Sequence, residues 1–175
     1  MPHPLSRILL LSAVACSPQQ SATTTSQRTS SVEAENTLSA LAGMDTARAQ
    51  FLAAYTRKDL EGILGTYTDD IRFVIEGRVF DGKEAVREAW SRSLPTLSGL
   101  RFKPVTSAVS GDLGVLLESF TQRFAEPGKP EQADSGYSLS VLRRQPDGDW
   151  RYQTVALSRP PEKPAEAARE RPRSR

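Results

Sequence analysis

The chain is poor in the side chains that carry most enzyme chemistry. Its 175 residues include one cysteine and one histidine, Cys16 and His3, and both lie near the N-terminus. The chain after Cys16 therefore has no imidazole that could activate a nucleophile or bind a metal, and it has no pair of cysteines that could form a disulfide. It also lacks a glycine-rich phosphate-binding motif of either standard type. We expect no His-dependent catalysis, no metal site and no cofactor.

Aromatic residues are absent from both ends of the chain. Both Trp, all four Tyr and all six Phe lie within residues 44–159, so a hydrophobic core can form only there, and the length suits one domain. This segment carries 16 basic and 16 acidic residues, whereas the net charge of +2 arises in the Pro- and Arg-rich residues 160–175. We predict a disordered tail over 160–175, and we do not expect a neutral domain to bind nucleic acid.

The N-terminus has the pattern of an export signal. Arg7 precedes a short apolar run that is too brief to span a bilayer and is typical of a secretory signal peptide. Small residues directly before Cys16 resemble the lipobox of bacterial lipoproteins. That resemblance implies a signal peptide over 1–15, a lipid on Cys16 and a place in the bacterial envelope, in the outer membrane if the host has one. The alternative is plain signal cleavage near Ala15, which would leave Cys16 unmodified.

Residues 16–43 are rich in Ser, Thr, Gln and Ala and show little hydrophobic periodicity. We predict that they form a flexible polar linker between the lipid anchor and the folded domain, and a weak helix around Glu33–Leu41 is the alternative for part of this segment. Apolar residues at helical spacing begin with Met44 and continue through Phe51 and Tyr55. The first helix is therefore predicted to start near Met44.

Two shorter helices are predicted to follow. Asp59 is placed to cap a second helix, with Tyr67 on its buried side. A third amphipathic helix over 83–94 presents Trp90 on its apolar face and stops at Pro95.

The remainder of the domain is predicted to form strands. Alternation over 71–76 indicates a strand, followed by a short hairpin at Gly77 and by four longer strands over 100–109, 113–124, 135–145 and 150–158. Short turns between consecutive strands favour antiparallel pairing. We predict an α+β fold in which three N-terminal helices pack on a curved antiparallel sheet and enclose a pocket, giving a cone-shaped domain.

Residues 44–159 resemble the nuclear transport factor 2-like superfamily, in its SnoaL-like and ketosteroid isomerase-like branch. The residues that carry the resemblance are the Lys58-Asp59 break between helices, the segment 67–70, the Asp-Gly-Lys-Glu-Ala entry to the third helix at 81–85, Trp90, and the Asp-Gly-Asp-Trp-Arg hairpin at 147–151. The resemblance implies a conical cavity between sheet and helices. It also implies a homodimer that packs sheet against sheet.

The catalytic residues of ketosteroid isomerases are not found at the matching positions. Those enzymes use an Asp base and two oxyanion donors, a Tyr and a protonated Asp. Here the three positions fall on Ile75, Phe51 and Ser140 respectively. A shift of one residue brings Glu76 to the base position, but it turns the side chain to the other face of the sheet unless a bulge intervenes. Isomerase chemistry by the family mechanism is therefore not expected.

Glu118 is the other weak catalytic candidate, in the otherwise apolar strand 115–120. If it faces the pocket, burial would raise its pKa and make it a plausible base. If it faces outwards, it is a surface acid that pairs with Arg143 or Arg101, and we favour this orientation. Asp69 and Asp70 resemble a catalytic pair, but their position between a helix and a strand favours a structural role.

We predict a pocket for a small, partly apolar ligand. Its expected lining residues are Phe51, Tyr67, Phe73, Ile75, Trp90, Glu118, Phe120 and Ser140. The leading functional interpretation is non-catalytic binding of such a ligand, or of a protein. The alternatives are a SnoaL-like isomerase, hydratase or cyclase that uses a pocket carboxylate, and a dimeric scaffold with a filled pocket.

Overall fold

The computed structural model describes residues 20–159, with side chains from residue 32 onwards. The predicted signal peptide, Cys16 and the predicted tail at 160–175 lie outside the described residues. The chain divides into two compact units, Met1–Asn36 and Thr37–Arg175. The described part of the first unit is helical, and the fold and the site belong to the second unit.

Helix α1 runs over Gln20–Thr56, so it begins well before the predicted start at Met44. This differs from the flexible linker expected over 16–43. No glycine or proline interrupts the chain between Pro18 and Gly43, and Ala, Gln and Glu favour a helix there although the more numerous Ser and Thr have lower helix propensity. A polar helix has no hydrophobic stripe, so hydrophobic periodicity does not reveal it even though the backbone is helical.

Two further helices follow, α2 over Leu60–Gly65 and α3 over Lys83–Ser93. The predicted cap of α2 is confirmed, because the Asp59 side chain accepts a hydrogen bond from the Gly62 amide at 2.8 Å. The prediction that Tyr67 belongs to α2 is wrong, since the helix ends at Gly65 and Tyr67 opens the first strand. Tyrosine and threonine suit a strand, and Gly65 weakens the helix at that point.

The six strands form one mixed sheet in the order β2-β1-β6-β5-β4-β3. Their bounds are β1 Tyr67–Ile75, β2 Arg78–Asp81, β3 Leu97–Ser110, β4 Leu113–Phe124, β5 Gln132–Arg144 and β6 Trp150–Ser158. The predicted α+β fold, with N-terminal helices on a curved sheet, is confirmed. The prediction of wholly antiparallel pairing is wrong for one pair, because β1 and β6 run parallel. The chain leaves β1 through the β2 hairpin and α3, and the later meander brings β6 back beside β1.

The core lies between the helices and the inner face of the sheet. Along β4, Leu116, Glu118 and Phe120 are buried in alternation, with Val115 and Ser119 on the other face. On the facing helices the buried aromatic side chains include Phe51 and Trp90. The alternation of β4 therefore directs Glu118 into the interior with two apolar neighbours.

Candidate ligand-binding cavity

A cavity of about 50 Å³ lies between the helices and the inner face of the sheet. Its lining residues are Phe51, Tyr67, Phe73, Trp90, Leu100, Phe102, Glu118, Phe120, Gln122, Ser138, Ser140, Tyr152, Val155 and Leu157. We call this space the inner chamber. Its volume has room for a few water molecules or for one end of a small ligand.

Seven of the fourteen lining residues are aromatic, and Phe51 lies at the centre of a cluster of rings. Its ring centroid lies 5.9–6.3 Å from those of five neighbours, in tilted or edge-on geometry. These neighbours are Tyr55, Tyr67, Trp90, Phe102 and Tyr152. The indole nitrogen of Trp90 donates to the Tyr67 hydroxyl at 3.1 Å, so the wall presents ring surfaces to the chamber, not an unpaired indole N–H.

Glu118 supplies the charge inside the chamber. It is only 2% exposed, and it lies opposite Ser138 in the β4–β5 ladder. The expected outward orientation, with Arg143 or Arg101 as partner, is wrong. Leu117 and Val115 are as apolar as Leu116 and Phe120, so the sequence did not reveal which face of the strand is buried.

Arg48 of α1 is the partner that sequence reasoning missed. Its Nη1 donates to Oε1 of Glu118 at 2.8 Å, and its Nη2 donates to Asp45 at 2.8 Å. The sequence does contain a signal for this contact. Arg48 lies four residues after Met44 and seven before Tyr55, which places it on the buried side of α1.

The floor of the chamber combines one acceptor with several hydroxyl groups. Burial raises the pKa of Glu118, and Arg48 opposes that rise. Arg48 engages Oε1 of this carboxylate, and among residues 20–159 no hydrogen bond to its second oxygen, Oε2, is seen. The hydroxyls of Ser138 and Ser140 lie 3.4 Å apart, and burial together with the charge of Glu118 raises the pKa of Tyr152. The floor can therefore accept a hydrogen bond at Oε2 and offers hydroxyls beside it.

A second space of about 120 Å³, the outer chamber, adjoins the first. Its lining residues are Phe73, Ile75, Ala89, Trp90, Ser93, Leu97, Gln122, Leu157 and Arg159. Four of these, Phe73, Trp90, Gln122 and Leu157, also line the inner chamber. The two chambers are therefore neighbours across shared side chains.

A sequence model of the SnoaL-like domain matches residues 49–153. The chain belongs to the SnoaL-like domain family. This confirms the resemblance drawn from the sequence, and the family includes both enzymatic and non-catalytic members. No curated protein sequence matches the chain at a significant level.

Solved structures share the fold of this SnoaL-like domain. A ketosteroid isomerase-like protein from Erwinia carotovora atroseptica is 21% identical, with a TM-score of 0.62 over 68% of this chain and 95% of that one. A candidate dehydratase of the nuclear transport factor 2-like family from Streptomyces avermitilis is 18% identical, with a TM-score of 0.59 over 70% and 97%. A conserved protein from Planctomyces limnophilus is 19% identical, with a TM-score of 0.61 over 67% and 95%. At these identities the likeness establishes the fold alone.

The structure brings most of the predicted pocket residues of the SnoaL-like domain to the inner chamber. These are Phe51, Tyr67, Phe73, Trp90, Glu118, Phe120 and Ser140. Ile75 lines the outer chamber instead. Of the three positions that match the isomerase catalytic residues, Phe51 and Ile75 contribute only hydrocarbon, and Ser140 contributes a buried hydroxyl.

Glu76 lies outside both chambers. It occupies the two-residue turn between β1 and β2 with a left-handed φ of 53°, and Gly77 follows with a φ of 73°. Two successive positive φ values are typical of the tight hairpin turns that suit twisted strands. Its side chain is exposed and accepts a hydrogen bond from Arg159 Nη1 at 2.7 Å. This position removes Glu76 as a base acting inside the inner chamber.

Asp69 and Asp70 also point away from the chambers. Lys83 lies 2.7 Å from Asp69, and Gln153 donates to Asp70 at 2.8 Å. These hydrogen bonds lower the pKa of both carboxyl groups. Both residues thus connect β1 to other elements, in keeping with a structural role.

Two further findings concern residues 20–159 as the structure describes them. No three His, Cys, Asp or Glu side chains among them come together as a metal site. No helix in this part of the chain is long and apolar enough to cross a membrane.

Proposed function

We propose that the SnoaL-like domain binds a small, mostly apolar molecule that donates a hydrogen bond to Glu118. The observation that carries this proposal is a buried glutamate that lines an aromatic chamber and whose contact with Arg48 uses only Oε1. Arg48 balances the charge of Glu118, so a neutral hydroxyl or amide N–H suits the site better than a cation. A mostly apolar wall with few oriented polar groups is the usual design of a small-molecule site.

The binding function is favoured over catalysis because the chamber lacks a complete set of acid–base groups. An enolising enzyme needs a base and hydrogen-bond donors that stabilise the developing oxyanion. Here Phe51 and Ile75 replace two of the three family positions, and Glu118 is engaged by Arg48. The remaining groups are sufficient to orient a ligand.

The proposal predicts that phenol binds more tightly than toluene and that Glu118→Gln removes this preference. In this variant Arg48 will donate to the amide oxygen of the glutamine. The amide NH₂ group of the glutamine will then lie where the acceptor Oε2 was, and it cannot accept the phenol hydrogen bond. We expect phenol affinity to fall about tenfold, with toluene unchanged. Isothermal titration calorimetry measures both affinities. Glu84→Gln, on the exposed face of α3, is the matched control and should behave as wild type.

Equal binding of phenol and toluene by the wild-type protein would contradict the proposal. So would a phenol affinity that Glu118→Gln leaves unchanged. Circular dichroism of the variant checks that its fold is intact.

Proton transfer by Glu118 is the second candidate function. It is favoured by the raised pKa of this buried carboxyl group and by its oxygen Oε2, which the contact with Arg48 does not use. Isomerase, hydratase or cyclase chemistry of this kind would exchange a proton next to a carbonyl group. Deuterium exchange into cyclohexenone, followed by NMR, should then exceed the buffer rate and return to it in Glu118→Gln. Exchange at the buffer rate in the wild-type protein would exclude this activity for that substrate class.

A dimeric scaffold with a filled pocket is the third candidate, and the small volume of the inner chamber favours it. The outer face of β4 and β5 carries partly exposed apolar side chains, Leu113, Val115, Tyr137 and Leu139. We propose that two copies pack through this face. Sedimentation equilibrium should show a dimer for the wild-type protein and a monomer for Leu139→Lys. A wild-type monomer at high concentration would argue against the interface.

We further propose that the protein is exported and anchored in the bacterial envelope through a lipid on Cys16. The support is the sequence pattern before Cys16, which lies outside the described residues. Mass spectrometry of the mature protein from its native host should find an N-terminal cysteine with attached lipid, and Cys16→Ser should release the protein from membranes. An unmodified cysteine would contradict this proposal.

A further inference from the structure

The outer chamber contains a charge that the proposed ligand contact with Glu118 does not use. Among the nine described residues that line it, Arg159 alone is charged. Six others are apolar, and Ser93 and Gln122 are polar but neutral. A cation in mostly apolar surroundings favours an anionic group of a ligand over a neutral one.

Two carboxylates hold Arg159 from outside the chamber. Its Nε donates to Asp134 at 2.7 Å, and its Nη1 donates to Glu76 at 2.7 Å. Gln122 also donates to Asp134, at 3.0 Å. Neither Asp134 nor Glu76 lines the chamber. Of the five N–H groups of the Arg159 guanidinium, these two acids use two, and the other three are not bonded to either acid.

The two ion pairs differ in how easily a ligand can replace them. The Asp134 side chain is 15% exposed and is held by two donors, whereas the Glu76 side chain is 71% exposed. Exposed ion pairs contribute little free energy, so the Glu76 contact can be exchanged at small cost. If the Glu76 side chain moves away, Nη1 and Nη2 of Arg159 are both open to a ligand. Two such nitrogens side by side bind a carboxylate through two hydrogen bonds.

The two chambers adjoin and share part of their walls. Phe73, Trp90, Gln122 and Leu157 line each of them. Glu118 and Gln122 both lie on the inner face of β4, four residues apart, which corresponds to roughly 13 Å along a strand. Asp134, which holds Arg159, pairs with Gln122 in the ladder. An acceptor thus lines the inner chamber and a cation lines the outer chamber, and the rings of Phe73 and Trp90 line both.

From this arrangement we infer that the ligand is an elongated, mostly apolar carboxylate with a hydroxyl group at its far end. The inference rests on the proposed binding function. The hydroxyl donates to Oε2 of Glu118, and the apolar body lies against Phe73 and Trp90. The carboxylate replaces Glu76 on Arg159.

Two probes that differ at one end test the inference, namely para-hydroxyphenylpropionate and para-ethylphenol. Calorimetry should show that the wild-type protein binds the acid about tenfold more tightly than the phenol. Arg159→Gln should abolish this preference and leave para-ethylphenol affinity unchanged, whereas Arg159→Lys should retain part of it. Glu76→Gln removes the competing carboxylate and should raise affinity for the acid about threefold. Arg92→Gln, an exposed arginine of α3, is the matched control.

The outcomes separate this inference from the binding function itself. If both probes bind equally well to the wild-type protein and to Arg159→Gln, the carboxylate site is refuted and the Glu118 site stands. If the acid is preferred but Glu118→Gln does not weaken it, the assigned orientation is wrong. If neither probe binds, the proposed function fails and this inference fails with it. Circular dichroism and thermal unfolding of each variant show whether a lost affinity reflects a lost fold.

Discussion

Replacing Arg48 with methionine is expected to destabilise the SnoaL-like domain by about 3–5 kcal/mol at pH 7. The substitution leaves Glu118, which is 2% exposed, as a buried charge without its ion-pair partner. Methionine keeps the apolar stem of the side chain, so lost packing contributes little. Urea unfolding at pH 7 measures the difference in the free energy of unfolding.

The same variant should regain stability as the pH falls. Burial raises the folded-state pKa of Glu118 above its ordinary value of 4.5, and removal of Arg48 removes the interaction that opposes this rise. Between the unfolded and folded pKa values, the native state binds more protons than the unfolded state. Stability therefore falls as pH rises through that window and is recovered on acidification. Unfolding measured at several pH values should show a steeper dependence for Arg48→Met than for the wild-type protein.

A double variant isolates the ion pair. Arg48→Met combined with Glu118→Met removes both charges and should recover most of the lost stability, because an apolar replacement of a buried ion pair is often close to neutral. Arg92→Met, at an exposed position of α3, is the matched control and should be within about 0.5 kcal/mol of wild type. A loss below about 1 kcal/mol for Arg48→Met, with no dependence on pH, would show that the ion pair does not hold the site together.

Phe51→Ala is expected to cost about 3–5 kcal/mol of unfolding free energy. Its ring is 7% exposed and contacts five other aromatic rings, so the neighbours cannot collapse fully into the space it leaves. The inner chamber should enlarge as a result. Thermal and urea unfolding measure the loss.

The enlarged chamber provides a second measurement on the same variant. An apolar cavity binds small aromatic molecules, and a ligand that binds only the folded state raises the melting temperature. Benzene should therefore stabilise Phe51→Ala more than the wild-type protein. Val79→Ala, at a side chain that is 62% exposed, should change neither stability nor the response to benzene. Equal responses of Phe51→Ala and wild type would mean that the space is filled by rearrangement.

Strands bounded by distinct turns were predicted closely from the sequence. The predicted ranges 113–124 and 150–158 agree with β4 and β6, because Gly111 and Gly148 mark turns where the chain adopts a positive φ. The start of α1 was predicted too late, since the prediction relied on hydrophobic periodicity and the first part of that helix is polar. The parallel pairing of β1 with β6 joins segments far apart in the chain, and no local pattern indicates it.

The sequence by itself determined the class of the fold, the aromatic character of the interior and the lack of the isomerase catalytic residues. Each of these follows from residue type and local spacing. Only the tertiary structure decided that Glu118 faces inwards to Arg48, 70 positions away, and that Arg159 faces the outer chamber while Glu76 lies outside it. The reason is physical: periodicity reports which residues share a face, whereas ion pairs and cavities depend on which faces the folded chain brings together.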